Sequence, residues 1–331
     1  MDLSARYLGL SLASPLVPSA SPATESLDSL KRLEDAGAGA VVLPSLFEEQ
    51  IRSEERTLEH FLRRGAESYA ESLSYLPEPA DYGLVPEEHL ERVRRAKEAL
   101  RIPVIASLNG STPGGWTAYA ERLEAAGADA LELNIYRVAA DIAVSGAVVE
   151  EEALAVVRDV RGRVSLPLAV KLGPYYSALG NMASRLVGAG ADGLVLFNRF
   201  LQPDVDLEAL ETRPKLLLSG PQAQRLPMTW VALLHGRLGS ASLAATGGVQ
   251  TAEDALKMVM VGADAVMMAA ELLRRGPGHL SAVLDGMRRW MSEHEYESLA
   301  QMKGSMSQLF GADPSAFERA NYVKTLRGYH L

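Results

Sequence analysis

The chain of 331 residues contains no cysteine. That absence removes disulfides, thiolate nucleophiles, cysteine acid–base chemistry and every cysteine-ligated metal or iron–sulfur site. Histidine is also scarce. His60, His89, His235, His279, His294 and His330 show no paired metal-ligand spacing, so a metal-free protein is expected. Basic residues are in deficit, with 33 Lys and Arg against 42 Asp and Glu and a net charge of −9. Nucleic acid and anionic membranes both call for basic patches, so neither is expected as a partner. No apolar run is long enough to span a bilayer, and MDLSARYLGL lacks a basic segment followed by an apolar one. A soluble, cytoplasmic protein is the expectation. Linkers and low-complexity tracts are missing too, so residues 1–331 are read as one domain, with 47% hydrophobic residues to fill a large core.

What is present is a repeat. Four times a helical stretch runs into a Gly-Ala turn and then directly into a short apolar run. The copies are Ala36-Gly37-Ala38-Gly39-Ala40 before VVL and Ala126-Gly127-Ala128-Asp129-Ala130 before LEL. Ala189-Gly190-Ala191-Asp192-Gly193 before LVL and Val261-Gly262-Ala263-Asp264-Ala265 before VMM complete the set. Glycine past a helix end supplies a left-handed cap, and small residues let helix and strand pack closely. Between the copies lie apolar runs with a different entrance: IPVIASL at 102–108, LPLAVKL at 166–172 and SLAATGG at 242–248. Two alternating strand entrances separated by helices predict an α/β fold, a closed (β/α)8 TIM barrel.

The eight barrel strands are expected at Leu16–Ser19, Val41–Leu43, 103–108, Ala130–Asn134, 167–172, 193–198, 242–246 and 265–268. YLGLSLASPLV at 7–17 reads as an N-terminal hairpin leading into the first. Helices are expected at about 24–36, 86–100, from Pro113 to Gly127, and at about 150–161, 176–190, 229–238 and 252–262. Residues 46–85 break the pattern after the second strand, which places a lid insertion on the C-terminal face of the barrel. Residues 199–228, containing PKLLLSGPQ, form a side connection with room for a small ribbon, and 277–331 form a helical tail. Gly188-Ala-Gly190-Ala-Asp-Gly193 fits G-x-G-x-x-G, but it closes a helix and opens a strand, the reverse of a dinucleotide fingerprint.

Alternate strand residues point into a barrel, and its chemistry sits at the C-terminal strand ends. In ALELN, Leu131 and Leu133 suit the helix layer, which leaves Glu132 and Asn134 inside. In LAVKL the same alternation turns Ala169 and Lys171 inward, and LVLFN ends in Asn198. Asn134, Lys171 and Asn198 therefore converge at the tops of three consecutive strands. A solvated barrel mouth is the plain alternative, but an inward lysine is costly unless it is paired or functional. The seventh strand ends in Thr246-Gly247-Gly248 and the eighth in Ala269-Ala270, where barrels often hold a phosphate on backbone amides. A phosphate clamp, asparagine side chains and one lysine suit flavin mononucleotide (FMN), whose anionic reduced form a nearby cation stabilises.

With these residues in view the chain resembles the dihydroorotate dehydrogenase family, especially its soluble class 1 and bacterial dihydroorotate dehydrogenase-like branches. The resemblance runs over nearly the whole chain: SPLVPSAS (14–21), IASLNG (105–110), ELN (132–134), VKLGPYY (170–176), FN (197–198), SG (219–220), ATGGV (245–249) and GADAVMMAAELLRRGP (262–277). It implies an FMN-dependent oxidoreductase of pyrimidine biosynthesis, moving a hydride between dihydroorotate or a related small carboxylated substrate and the flavin. It further implies that Ser19, Ala20, Ser21 and Ser45 line the flavin, and that Asn134, Lys171 and Asn198 contact its ring or the substrate. Gly220, Gly247 and Gly248 hold the ribityl phosphate on this reading, with the Ala269 and Ala270 amides beside them. Class 1 relatives are often homodimers, and with no cysteine here any iron–sulfur relay belongs to a separate electron-acceptor protein.

The departures fall mostly on the substrate side. Arg137 stands where the family carries its cysteine or serine base, Pro44 where it carries a lysine, and Ala139 near its second loop asparagine. Arg199 replaces a hydroxyl residue, and Ala269-Ala270 replace a Gly-Thr/Ser pair. Guanidinium stays protonated and is a poor base, so Arg137 and Arg199 suggest instead an anionic ligand such as a carboxylate. Tyr136, Asp141 and Ser145 lie in the same loop as substitute proton acceptors. Two other readings stand beside the dehydrogenase: a flavin-binding electron-transfer or regulatory subunit, and a flavin-free barrel acting on a phosphorylated metabolite.

Overall fold

In a computed structural model of the chain, the described residues are 1–52, 86–112, 114–200, 202–213, 217–317 and 319–328. A hairpin of β1 (Ala5–Tyr7) and β2 (Leu10–Leu12) precedes the parallel strands β3 (Leu16–Pro18), β4 (Val41–Phe47), β5 (Val104–Asn109), β6 (Ala130–Asn134), β7 (Leu168–Leu172) and β8 (Gly193–Leu196). An antiparallel ribbon of β9 (Asp204–Asp206) and β10 (Glu211–Arg213) follows, and β11 (Ser242–Thr246) and β12 (Ala265–Met268) complete the parallel set. The parallel strands run β3-β12-β11-β8-β7-β6-β5-β4 around one sheet of eight. Its two ends meet where the Gly39 N–H donates to the Leu16 carbonyl at 2.9 Å, which makes the sheet a (β/α)8 barrel. A Cβ on Gly39 would lie 2.0 Å from the Ser14 carbonyl oxygen, so only glycine fits this seam.

Helices alternate with the strands: α1 (Leu27–Asp35), α2 (Pro86–Ala99), α3 (Tyr119–Ala125), α4 (Gly146–Arg163), α5 (Leu179–Gly188), α6 (Arg225–Leu234), α7 (Ala252–Val261) and α8 (Ala270–Arg275). The tail adds α9 (His279–Glu293), α10 (Leu299–Met302) and α11 (Ala320–Arg327). It is tied back by Gly304 N–H to Val259 O and Met306 N–H to Met260 O, on α7, and by Gln308 N–H to Ala232 O on α6. None of the helices among the described residues is long and apolar enough to cross a membrane.

The repeated Gly-Ala-Asp turn has a physical role. Asp129, just before β6, accepts from Val104 N–H on β5 at 2.7 Å while its own N–H donates to the Val104 carbonyl at 2.9 Å. Asp192 makes the same two-way clasp with Leu168 at the start of β7, and Asp264 makes it with Leu243 on β11. Each copy thus locks one strand–helix–strand pair at the N-terminal rim. In the first copy Gly39 stands in place of the aspartate and makes only the backbone bond.

Strand alternation sorts the core into two clusters. Leu131, Leu133, Leu168, Val170 and Leu172 face the helix layer. Val17, Val42, Ile105, Ala169, Val195 and Ala244 fill the barrel interior, and Tyr7, Leu8 and Leu12 of the hairpin plug its N-terminal end. The hairpin is pinned there by Leu8 N–H donating to Ser242 Oγ at 3.0 Å.

Several boundaries differ from the sequence-based expectation. β4 runs on to Phe47, with its register against β5 shifting between Val42 and Ser45. Pro44 offers no N–H to the ladder, so the strand bulges there and resumes. Helix α6 begins at Arg225 and not 229, because Pro227 falls in the first turn, where its missing N–H costs nothing. Helix α4 begins at Gly146 and not 150, with Ser145 at the N-cap position. The small ribbon expected in the 199–228 connection is built from Asp204–Asp206 and Glu211–Arg213. Of the expected lid, residues 48–52 are helical, and 53–85 lie outside the described residues.

Candidate active site

The C-terminal ends of the strands open into a cavity of about 830 Å³. Its floor is set by register. Asn109, Asn134 and Lys171 are successive partners on β5, β6 and β7, and inward alternation brings all three to the cavity wall. Lys171 is only 6% exposed. Its Nζ donates to Glu132 Oε1 at 3.2 Å and to Ser19 Oγ at 3.1 Å. Glu132 lies one inward position below Asn134 and is fully buried. An ion pair that deep is stable only with its remaining polar atoms satisfied, yet Glu132 Oε2 has no hydrogen-bond partner and neither does Asn134 Oδ1. The Asn134 oxygen at the wall is therefore a group awaiting a ligand's donor.

The structure brings most of the expected residues to this one cavity. Ser19, Ala20 and Ser21 follow β3 along its wall, and Ser45 on β4 joins them, hydrogen-bonded to Ser107 Oγ at 2.8 Å. Asn198 follows β8, and Gly247, Gly248, Ala269 and Ala270 form the far wall beyond β11 and β12. Gly247 and Gly248 both have positive φ, 109° and 77°, and a Cβ on Gly247 would meet nothing closer than the Ala223 carbonyl at 4.0 Å. The Gly247 backbone thus faces the cavity without a side chain in front, while Gly248 packs closely against Gln224 and the Gly220 carbonyl.

Two expected residues are not among those that line the cavity. Gly220 adjoins Ser219, which does line it, and its carbonyl stands 2.7 Å from where a Gly248 Cβ would lie. Arg274 fixes that segment, its guanidinium donating to the Ser219 and Leu218 carbonyls. Arg137 is absent from the wall: its guanidinium forms an ion pair with Glu152 on α4. The early start of α4 supplies that partner, and the ion pair links the loop to the helix. Arg199 does line the cavity. Of the three loop residues considered as proton acceptors, only Tyr136 faces it. Asp141 is exposed and accepts from Ala143 N–H, and Ser145 stands at the α4 N-cap.

Other lining residues escape the sequence reading. Phe200 packs between Tyr136 and Tyr175, with ring centroids 5.8 and 4.9 Å away, and all three rings border the cavity. His89 and Arg92 reach it from α2, with Glu25 and Gln50 nearby on the same wall. Burial holds His89 well below the usual range, at about 4, and the Arg92 cation adds to this. The signal was periodic: His89 shares the buried stripe of α2 with Val93 and Ala96 on an otherwise charged helix. No group of acidic or histidine side chains among the described residues could hold a metal ion.

Comparison with known proteins adds to this geometry. The family model described as dihydroorotate dehydrogenase matches residues 82–291. The catalytic subunit of dihydroorotate dehydrogenase B (NAD(+)) from Thermoplasma volcanium is 26% identical over 92% of this chain and 98% of its own. The protein of the same description from Desulforudis audaxviator is 31% identical over 63% of this chain and 69% of its own. The NAD-dependent dihydropyrimidine dehydrogenase subunit PreA of Escherichia coli is 22% identical over 92% of this chain and 76% of its own. Matched along most of its barrel, with the buried lysine and asparagine pair on adjoining strands at its centre, the chain belongs to the dihydroorotate dehydrogenase family.

Proposed function

We propose that the chain is an FMN-dependent oxidoreductase acting on dihydroorotate or a related small carboxylated ring. The observation that carries this is the buried Lys171, held by Glu132 and Ser19 beside the unpartnered Asn134 oxygen at the cavity wall. The residues fit the cofactor. About 830 Å³ is room for a large planar group with a substrate beside it. Gly247 and Gly248, with Ala269 and Ala270, would hold the phosphate, while Ser19, Ala20, Ser21 and Ser45 would line the ring. When bound, FMN supplies a two-electron acceptor for hydride.

The chain's own groups supply the rest. Lys171 places a fixed cation in a site of low polarity, where negative charge on a neighbouring carbonyl is stabilised most strongly. Glu132 and Ser19 hold that ammonium in one position, which removes the need to reorganise it during reaction. Asn134 and Asn198 offer an amide each for orienting ring edges. Tyr136 lines the cavity with the rings of Phe200 and Tyr175 beside it, and as its phenolate it would take a proton from the substrate. Any iron–sulfur relay that carries the electrons onward belongs to another chain, since this one has no cysteine to hold it.

A second reading, a flavin-binding electron-transfer or regulatory subunit, draws on the ion pair that engages Arg137 with Glu152 at the position where the family resemblance implies a base. Anaerobic addition of dihydroorotate to the purified protein, followed in the visible spectrum, separates the two. Bleaching with formation of orotate, slowed strongly in Tyr136→Phe, is the outcome expected for the dehydrogenase. A flavin spectrum that dihydroorotate leaves unchanged retires it in favour of the subunit, and a colourless protein that takes up no added FMN retires both.

A further inference from the structure

The corner of the cavity between β4 and α2 carries polar groups for which the flavin reading has no use. His89 is 2% exposed, and its Nε2 is buried without a hydrogen-bond partner among the described residues. One helical turn on, Arg92 has a buried Nη1 in the same condition. Residues three apart lie on one helix face, and both of these side chains line the cavity. Glu25 is the ion-pair partner of Arg92 among the described residues, at 3.7 Å, too far for a hydrogen bond. Its carboxylate is half exposed, while the Arg92 side chain is 17% exposed. Leaving a buried guanidinium nitrogen without an acceptor is costly, as is leaving a buried imidazole nitrogen.

We propose that His89 and Arg92 form a subsite that binds the carboxylate of the substrate, and this rests on reading the cavity as the substrate site. The chemistry selects that class of ligand. A guanidinium presents parallel N–H donors that match a planar carboxylate. Burial keeps His89 neutral, so it adds a hydrogen bond and no second charge. With Glu25 beside Arg92, the corner offers one partly offset cation, enough for a monoanion and poor for a phosphate dianion. Phosphate is better served beyond β11, three strands round the barrel from β4, by the backbone of Gly247 and Gly248.

Benzoate and benzamide separate the charge from the ring, since they are nearly isosteric and differ in the carboxylate. Calorimetric titration of the full chain, with whatever flavin it carries, should show benzoate binding about tenfold or more tightly than benzamide. Arg92→Met should remove that preference and leave benzamide binding unchanged, with Arg92→Lys intermediate and His89→Phe weakening benzoate alone. Circular dichroism and melting temperature of each variant confirm that it is folded. The subsite is refuted by wild-type protein that fails to prefer benzoate, or by a folded Arg92→Met that keeps the preference. Neither probe requires turnover, so the result is independent of dihydroorotate oxidation. Protein that bleaches with dihydroorotate yet ignores benzoate keeps the dehydrogenase and loses the subsite, and the reverse pattern does the opposite.

Discussion

Placing Lys171 and Glu132 inside the barrel strips both ions of water, at several kcal/mol each, and their mutual attraction only offsets that loss. A site of this kind adds little stability, and its value lies in a cation that cannot move. His89 follows the same logic from the opposite direction: burial keeps it uncharged, and that has a measurable consequence. The unfolded chain takes up a proton at this residue near 6.5, whereas the folded protein does so only near about 4. Between those values the unfolded state binds more protons, so the protein loses stability as pH falls from 6.5 toward 4, and the loss levels off below 4. The full effect is about 3 kcal/mol, from ~1.4 kcal/mol for each unit of difference. Carboxylates titrate across the same range, so the comparison that isolates it is urea unfolding of the wild type and His89→Phe at pH 7, 5 and 4. The stability difference between the two should shift toward the variant by that amount, and a constant difference would show that His89 takes up its proton in the fold as it does in the unfolded chain.

At the scale of strands and helices, the recurring Gly-Ala-Asp turn is the feature that most defines the molecule. Its aspartates bond backbone groups of the preceding strand, so each is an acceptor for an N–H that would otherwise face solvent at the rim. Asp192→Ala should cost about 1.5 kcal/mol, the usual value for a hydrogen bond to a charged group. Asp192→Asn, which keeps a carbonyl oxygen in place, should recover part of it in the same denaturant titration. This turn also explains what is legible in the sequence. Small residues and glycine at fixed spacing declare the strand entrances, and strict alternation in ALELN and LAVKL declares that Asn134, Glu132 and Lys171 point inward. Less legible are features decided by contacts between distant segments. Arg137 reads as a ligand-binding cation until Glu152 is placed beside it by a helix that starts early. That Gly248 tolerates no side chain is also decided at a distance, by Gln224 and the Gly220 carbonyl. His89 is marked by the buried stripe of α2, but nothing local marks Arg92 among that helix's charged side chains as facing a cavity.

Across the whole molecule the barrel divides its labour between two ends. The C-terminal mouth holds unpartnered polar atoms and glycines of positive φ, while the N-terminal end is closed by clasps and by the hairpin plug. Tyr7 is the one awkward member of that plug. Its ring is fully buried in the apolar interior, but its hydroxyl has no hydrogen-bond partner. Burial, with the Glu132 charge as a smaller contribution, pushes its ionisation well above the usual tyrosine range, so the hydroxyl stays neutral and unsatisfied. A buried hydroxyl in that state carries a desolvation penalty of about 1–3 kcal/mol, which phenylalanine would not incur. Tyr7→Phe should therefore raise the melting temperature by a few degrees, on the order of 2–4 °C per kcal/mol at most for a chain of this size. Because the plug lies below the ion pair, flavin content and the benzoate preference should be unchanged. A lower melting temperature would mean that the hydroxyl bonds the free Glu132 oxygen in solution. In that case the plug and the mouth are linked through Glu132 and Lys171, and the same substitution should also shift the reduction potential of the bound flavin.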